Sequence, residues 1–237
     1  MLNIQLYIIV DIQIPSICHH SMKANENIKK SILAEKIRKD LHFKKFKYST
    51  ISYPFKEELE TLLGVKLSQL HHFLGNFELL SKGQPILVHK VFYANFPNKL
   101  ENIYQNFIRS EISKIVPYAF YYQKIPTLRV GLPGNVFVGS FHKDSDFNHQ
   151  SYEVNFNLGL ANYGSGEFHV EEKPNSNKFK HLECLYGQIF SFDHINCEHG
   201  SKPNNDKETM VSFDFRIALK ENYFSTDKES IGNPTKL

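Results

Sequence analysis

The chain has 237 residues, 41% of them hydrophobic, and a formal net charge of +3 at pH 7. This length suits one domain with a helical elaboration, and the twenty phenylalanines can fill a sizeable core. The mild basic excess does not call for a nucleic-acid partner, and no stretch approaches the ~20 apolar residues of a membrane span. Three irregularly spaced cysteines exclude a disulfide framework and a zinc knuckle, so we expect a protein of the reducing cytoplasm.

Residues 1–24 form an N-terminal extension of uncertain status. Its apolar start, residues 2–10, lacks a basic flank and is interrupted by Asp11, which makes it a poor signal peptide. Two interpretations stay open: the extension is part of the protein, or Met22 is the true start.

Residues 25–117 are predicted to form a helical elaboration that packs on a β core. Apolar residues recur there at close to helical spacing and are bounded by proline and by a capping asparagine. The predicted helices cover residues 25–42, a segment after Pro54, and a segment from Asn98 to about Val116.

Two further interpretations concern this region. The first helix has a basic face that includes Arg38, and we expect this face to be solvated rather than to bind anions or a membrane. Residues 84–93 contain Val88, Val91 and Phe92 and are predicted to form a strand.

Short β-rich runs alternate with turn clusters over residues 118–220. This pattern predicts a mainly β fold with an N-terminal α elaboration, namely a double-stranded β-helix of the jelly-roll, cupin-like type. The polar residues 221–237 are predicted to be a flexible tail. The turn clusters lie at residues 132–135, 162–166, 173–177 and 203–206.

The most informative chemical feature is the sequence His142-Lys143-Asp144, followed later by His199. Residues i and i+2 of a strand point to the same face, so His142 and Asp144 would aim an imidazole and a carboxylate at one point. A later histidine can complete the two-histidine, one-carboxylate triad of non-haem Fe(II) oxygenases, which leaves coordination positions open.

A rival pair with the same spacing, His169 and Glu171, fits this architecture less well. Strands with their turns recur at roughly 8–12 residues, so five strands between the ligands need on the order of 50 residues. Asp144 lies 55 positions before His199, whereas Glu171 lies only 28 positions before it. We therefore expect His169 and Glu171 on an intermediate strand.

An ordered series of motifs surrounds these residues, at positions 125–135, 138–146, 153–156, 192, 199–201 and 211–216. Together they resemble the Fe(II)/2-oxoglutarate dioxygenases related to the streptomycin-biosynthesis type, over roughly residues 125–219. The resemblance implies Fe(II), the cosubstrate 2-oxoglutarate and O₂. It also implies that His142, Asp144 and His199 bind the iron, because the family's distal ligand immediately precedes glycine; His194 is the competing candidate. Related halogenases lack the carboxylate, so Asp144 favours hydroxylation.

The cosubstrate anchor departs from the family pattern. The distal carboxylate of 2-oxoglutarate suits a bidentate guanidinium beside a hydroxyl group. Many relatives have arginine two residues before the position of Ser212, but this chain has Met210 there. Arg216 shares a strand face with Ser212 and is one candidate anchor, and Arg129 on a neighbouring strand is another. Alternatively Arg216 pairs with an acid such as Asp214.

Three other polar residues have alternative interpretations. Asn155 binds the cosubstrate or the substrate, or is a structural amide. His149 is expected in a loop over the mouth of the site. Cys197 shares its alternation with His199, and we expect a buried inert thiol there.

The leading hypothesis is an Fe(II)/2-oxoglutarate-dependent oxygenase that hydroxylates a small-molecule metabolite resembling a sugar or an aminocyclitol. The alternatives are a cupin-type metal enzyme, or a non-catalytic jelly-roll binding protein that lost the cosubstrate site; Met210 is the support for the latter. No nucleic-acid or membrane partner is expected, and the sequence leaves the oligomeric state open.

Overall fold

The structure is a computed structural model that describes residues 7–10, 23–74, 86–96, 98–136, 139–147, 149–161 and 168–220. The turn predicted at residues 162–166, the tail at residues 221–237 and most of the N-terminal extension lie outside the described residues. The domain boundaries given above stay predictions.

The helices precede most of the strands along the chain. They are α1 (Lys23–Leu41), α2 (Phe55–Leu63), α3 (Leu70–Leu74), α4 (Ile86–Asn95), α5 (Lys99–Phe107) and α6 (Ser113–Ile115). The three predicted helices are confirmed as α1, α2 and α5, although α5 passes into a π-helical turn at Ile108–Ile112. Asn98 precedes α5 without a capping side-chain hydrogen bond, so that detail of the prediction is wrong. None of the helices in the described part of the chain combines the length and apolar character needed to cross a bilayer.

One prediction for the helical region is wrong, and another holds only in part, because Lys36 and Lys39 on the basic face of α1 are exposed but Arg38 is not. Residues 84–93 do not form a strand, because the described residues from Ile86 onward form α4, with Val88 and Phe92 one helical turn apart and both buried. Arg38 is not solvated: it is 2% exposed, and its Nε donates a 3.0 Å hydrogen bond to Asp193 Oδ1.

The strands form two antiparallel sheets. In chain order they are β1 (Tyr7–Val10), β2 (Lys44–Lys47), β3 (Phe120–Gln123), β4 (Thr127–Gly131), β5 (Glu153–Ala161), β6 (Phe168–Glu171), β7 (Phe179–His181), β8 (Gln188–Ser191), β9 (His199–Ser201) and β10 (Met210–Leu219). The larger sheet has the order β1-β3-β10-β5-β8-β2, with β4 also paired to β10. The smaller sheet has the order β7-β6-β9. The prediction of a mainly antiparallel β fold with N-terminal helices is confirmed, and closure into a double-stranded β-helix stays a prediction.

The main hydrophobic core lies between the helices and one face of the larger sheet. Phe213 and Phe215, on alternate positions of β10, pack against aromatic rings from the helices. The ring centroids of Phe55 and Phe92 lie 5.7 and 5.5 Å from that of Phe213. The ring centroid of Tyr104 lies 5.5 Å from that of Phe215. Such edge-on and tilted pairs bury large apolar areas. The helical layer therefore holds the two central strands in place.

The opposite face of the same strands is polar and also buried. Ser212, Asp214 and Arg216 alternate with the phenylalanines of β10, and Asn155 and Asn157 stand beside them on β5. A polar face that is taken out of water needs partners, so this inner face is where a binding site is expected.

Candidate metal centre

The backbones of His142 and His199 pair directly. The amide of His142 donates to the carbonyl of His199 at 3.0 Å, and the amide of His199 donates to the carbonyl of His142 at 2.9 Å. This isolated antiparallel bridge extends the smaller sheet beyond β9, and the two imidazole centroids are 4.6 Å apart.

Asp144 reaches the same point from a turn. It begins a short 3₁₀ turn, Asp144–Phe147, and its amide donates a 2.9 Å hydrogen bond to the carbonyl of His194. The prediction that His142 and Asp144 lie on one regular strand is therefore wrong, because the chain leaves the sheet immediately after His142. The described strands between Asp144 and His199 are β5 to β8, one fewer than the five that the spacing argument assumed.

Three ligand atoms converge at this point. Asp144 Oδ1 lies 3.4 Å from Nε2 of His142 and 3.3 Å from Nε2 of His199, and the three atoms all lie within 4.8 Å of one another. The other ring nitrogens face backbone carbonyls: Nδ1 of His142 is 2.7 Å from the oxygen of Ser140, and Nδ1 of His199 is 3.1 Å from that of Cys197. Protons on both Nδ1 atoms leave both Nε2 lone pairs free, as metal ligation requires.

The charges around Asp144 keep it ionised. Burial alone would raise the pKa of Asp144, but the Arg216 guanidinium, and hydrogen bonds from His142 and His199 when these rings carry a proton on Nε2, hold it well below its usual range. The hydrogen bond that the protonated imidazole of His142 donates to the Asp144 carboxylate in turn raises the pKa of His142. The site therefore offers a carboxylate and two imidazoles, a donor set that suits Fe(II).

Arg216 and Arg129 lie on the inner face of the larger sheet, each paired with an acid. Nη2 of Arg216 donates to Asp144 Oδ2 at 2.7 Å. Nη2 and Nε of Arg129 donate to Asp214 Oδ2 at 2.9 and 3.3 Å. In the strand register Arg129 stands opposite Ser212. The structure therefore places both candidate anchors near the site and engages each with a carboxylate.

Several buried polar atoms of the inner face have no hydrogen-bond partner among the described residues. They are Ser212 Oγ, Asp214 Oδ1, Asn157 Nδ2 and Arg216 Nε. Asn155 has a weak partner, because its Oδ1 accepts the amide of Phe192 at 3.4 Å. Buried polar groups without partners are rare in folded proteins, so this cluster is suited to a polar ligand.

Sequence reasoning missed the roles of Glu153 and Phe147. Glu153 is fully buried and its Oε2 lies 3.0 Å from Nδ1 of His149, which places His149 beside the site. Phe147 is 58% exposed and sets its ring edge-on to His142 at 5.0 Å. Glu153 lies in one of the motifs quoted for the family. Its contact with His149 is local, four positions apart, but its contact with Arg216 joins distant segments and no local signal predicts it.

The competing residues lie outside the ligand group. His194 is fully buried, with no hydrogen-bond partner on either ring nitrogen among the described residues, and burial lowers its pKa well below the usual range. Glu171 lies on β6, as predicted, and its carboxylate accepts the amides of Asn177 and Glu198, which is a structural role. Cys197 is buried, and burial raises the pKa of its thiol to about 12, so the expectation of an inert thiol agrees with the structure.

The solved structures with similar folds include a prolyl-4-hydroxylase of Pseudomonas putida and the non-haem monooxygenase ThoJ in its apo form. The first has 10% sequence identity and a TM-score of 0.43, and the match covers 85% of this chain and 97% of the hydroxylase. The second has 13% identity and a TM-score of 0.45, and the match covers 79% and 77% of the two chains.

The family is shown by comparison at the sequence level. No family model matches the chain. The streptomycin biosynthesis protein StrG of Streptomyces griseus is 36% identical to it over 152 residues, which make up 63% of this chain and 72% of StrG. The chain therefore belongs to the same protein family as StrG.

Proposed function

We propose that the protein is a non-haem Fe(II)/2-oxoglutarate-dependent oxygenase that hydroxylates a small molecule. The observation that carries this proposal is the convergence of His142 Nε2, His199 Nε2 and Asp144 Oδ1 within 4.8 Å of one another. The hydrogen bonds of both Nδ1 atoms to backbone carbonyls support it, because they direct Nε2 of each ring toward the shared point.

His142, Asp144 and His199 would hold Fe(II). When bound, the iron would supply coordination positions for 2-oxoglutarate and O₂, with O₂ as the oxidant: one of its oxygen atoms would enter succinate as CO₂ is lost from 2-oxoglutarate, and the other would hydroxylate the substrate. The chain's own residues hold the ligand atoms in place and keep Asp144 ionised through Arg216. Three protein ligands leave further coordination positions open, and the carboxylate of Asp144 fills the position that a halide would need, so hydroxylation is favoured.

The inner face of the larger sheet is the proposed cosubstrate site. A dianion needs cationic partners, and this face carries Arg129 and Arg216 together with the unpaired hydroxyl of Ser212. Arg129 and Ser212 are neighbours across β4 and β10, so a carboxylate can bind both after Arg129 releases Asp214. Arg216 is the alternative anchor through its Nε, which has no hydrogen-bond partner among the described residues, and Asn155 is a further hydrogen-bonding group.

The proposed entrance for the substrate lies beside Phe147. This ring is more than half exposed and contacts His142, whose own side chain is 21% exposed, so the His142 side of the site borders the surface. The name of StrG places that protein in streptomycin biosynthesis, and from it we extend the proposal to a sugar-like or aminocyclitol-like substrate. The two described cysteines are free and buried, which agrees with a cytoplasmic enzyme.

A non-catalytic binding protein is the second candidate, favoured by one observation. Met210, which stands where many relatives have the anchoring arginine, is buried in the smaller apolar cluster beside Phe168 and Phe192. If no other arginine replaced that anchor, 2-oxoglutarate would not bind.

The test is the formation of succinate from 2-oxoglutarate by the purified protein with Fe(II) and O₂, with and without candidate sugar and aminocyclitol substrates. The proposal predicts slow succinate formation without substrate that requires iron and is lost in His199→Ala. Metal binding without succinate would favour the binding protein. Metal-dependent turnover of a substrate without 2-oxoglutarate would favour a cupin-type enzyme.

A further inference from the structure

We propose that Arg216 is a positioning residue which, together with Glu153, fixes Asp144 as a metal ligand through one oxygen atom only. This inference rests on the metal site of the proposed function and is independent of the cosubstrate. It gives Arg216 a role at the metal centre, where the arginine holds a metal ligand in position.

The two oxygens of Asp144 have different partners. Oδ1 faces Nε2 of His142 and of His199 at 3.4 and 3.3 Å, whereas Oδ2 accepts the 2.7 Å hydrogen bond from Arg216 Nη2. The side chains of Arg216 and Asp144 are only 8% and 4% exposed, so water does not compete for this pair. An Oδ2 held in this way is not free to turn toward a metal, and Asp144 offers Oδ1 alone.

Glu153 holds the guanidinium from the other side. Its Oε2 lies 3.7 Å from Arg216 Nε and 3.0 Å from Nδ1 of His149, and its Oε1 accepts the amide of Gln150 at 3.2 Å. Glu153 begins β5, the strand that pairs with β10 along the segment that carries Arg216. Arg216 therefore sits between two buried carboxylates, one structural and one in the ligand group.

A contribution to the stability of the fold is a weak explanation for these buried charges. Replacing a buried ion pair by apolar residues is often neutral or stabilising, because desolvation offsets the attraction between the charges. Orientation of a ligand gives a stronger reason, since partners behind a ligand typically contribute about 10–100-fold to metal affinity. The contact between Arg216 and Asp144 has the form of such a partnership.

The experiment measures Mn(II) affinity from the free-ion EPR signal, using the full chain without 2-oxoglutarate. We expect Arg216→Met to weaken Mn(II) binding by about 10–100-fold, and Glu153→Gln to weaken it less. Arg216→Lys should restore part of the affinity, because it keeps the charge but not the planar fork. The control is Lys114→Met, which removes the cation of an exposed pair with Glu111 and should leave Mn(II) affinity unchanged.

A second readout separates positioning from folding. Bound Co(II) should show shifted visible bands in Arg216→Met, because release of Oδ2 changes how the carboxylate can bind. Thermal unfolding of the metal-free variants checks that each is folded, and Arg216→Lys serves if Arg216→Met is not.

The outcomes are distinct. Wild-type Mn(II) affinity and an unchanged Co(II) spectrum in folded Arg216 variants would overturn the inference, and a loss of 2-oxoglutarate affinity alone would make Arg216 an anchor only. The expected loss of metal affinity in a protein that never binds 2-oxoglutarate would support the inference and overturn the proposed function. A wild-type protein that binds no divalent metal would overturn both.

Discussion

His142 and His199 exchange two backbone hydrogen bonds, of 3.0 and 2.9 Å, so the two imidazoles are held side by side by the main chain. The pairing also brings Phe141 over Gly200. A Cβ atom on Gly200 would lie 2.9 Å from Cα of Phe141 and 3.0 Å from its ring. These distances explain why glycine follows His199: a side chain at Gly200 would push apart the two segments that carry the candidate metal ligands.

Gly200→Ala should therefore weaken metal binding and lower the free energy of unfolding by about 1–3 kcal/mol, the usual cost of overpacking. The matched control is Gly139→Ala, because a Cβ at Gly139 meets no atom within 4 Å. Mn(II) affinity and urea unfolding measure the two effects. Equal behaviour of the two variants would contradict the account of Gly200.

Metal affinity should fall with decreasing pH because of His142. The protonated imidazole of His142 donates a hydrogen bond to the Asp144 carboxylate, which raises the pKa of His142 above the ordinary value, and a metal binds only the neutral imidazole. The proton therefore competes at a higher pH than for an ordinary histidine, and affinity should be lost as the pH falls through a value above about 6.5. Imidazole NMR of the metal-free protein and Zn(II) affinity against pH measure the two quantities. In Asp144→Asn the pKa of His142 should drop; an unchanged value would contradict the stated cause.

Arg38 should be essential for stability although it lies on a basic helix. It pairs with Asp193 and donates to the backbone carbonyls of Ser151 and Glu153, and the side chains of Arg38 and Asp193 are both almost fully buried. Arg38→Met should cost about 3–5 kcal/mol of unfolding free energy, because it leaves Asp193 buried and unpaired. Lys39→Met, which breaks only an exposed pair with Glu35, should leave the free energy of unfolding essentially unchanged. Similar losses in the two variants would contradict this distinction.

The buried His194 should make the free energy of unfolding fall at acid pH. Burial holds the pKa of His194 well below its usual range, whereas the unfolded chain binds this proton near pH 6.5. Stability is therefore lost as the pH falls below about 6.5, since the unfolded state then binds more protons. His194→Leu removes this effect. The free energy of unfolding of His194→Leu minus that of the wild type should therefore be larger at about pH 5 than at about pH 8. Urea unfolding of the metal-free proteins measures the difference, and an equal difference at both pH values would argue against this role.

The sequence predicted the parts of the fold that depend on local pattern. Hydrophobic spacing identified α1, α2 and α5, and the alternation from residue 118 onward identified the β region. The run around Val88 and Phe92 was misassigned because a short apolar segment has no clear period, and packing against the sheet decided in favour of a helix.

Contacts between distant segments could not be predicted in this way. Spacing favoured the pair His142 and Asp144, and the family resemblance, in which the distal ligand precedes glycine, favoured His199 over His194. The structure brings these three residues together. The partner of Arg38 is 155 positions away, and the partner of Arg216 is 72 positions away. The charge pattern within one helix or one strand gives no information about such pairings. From that pattern, Arg38 is expected on a solvated face and Arg216 is expected to bind the cosubstrate.

The most direct test of the central claim is an anaerobic titration of the purified protein with Fe(II) and then 2-oxoglutarate, followed by visible absorption. Chelation of iron by the keto acid gives a charge-transfer band. We predict this band in the wild type, a weaker band in Arg129→Met, and no band in His142→Ala. Bound iron without a band in the wild type would contradict the account, because it would mean that the inner face of the sheet does not hold 2-oxoglutarate beside the metal.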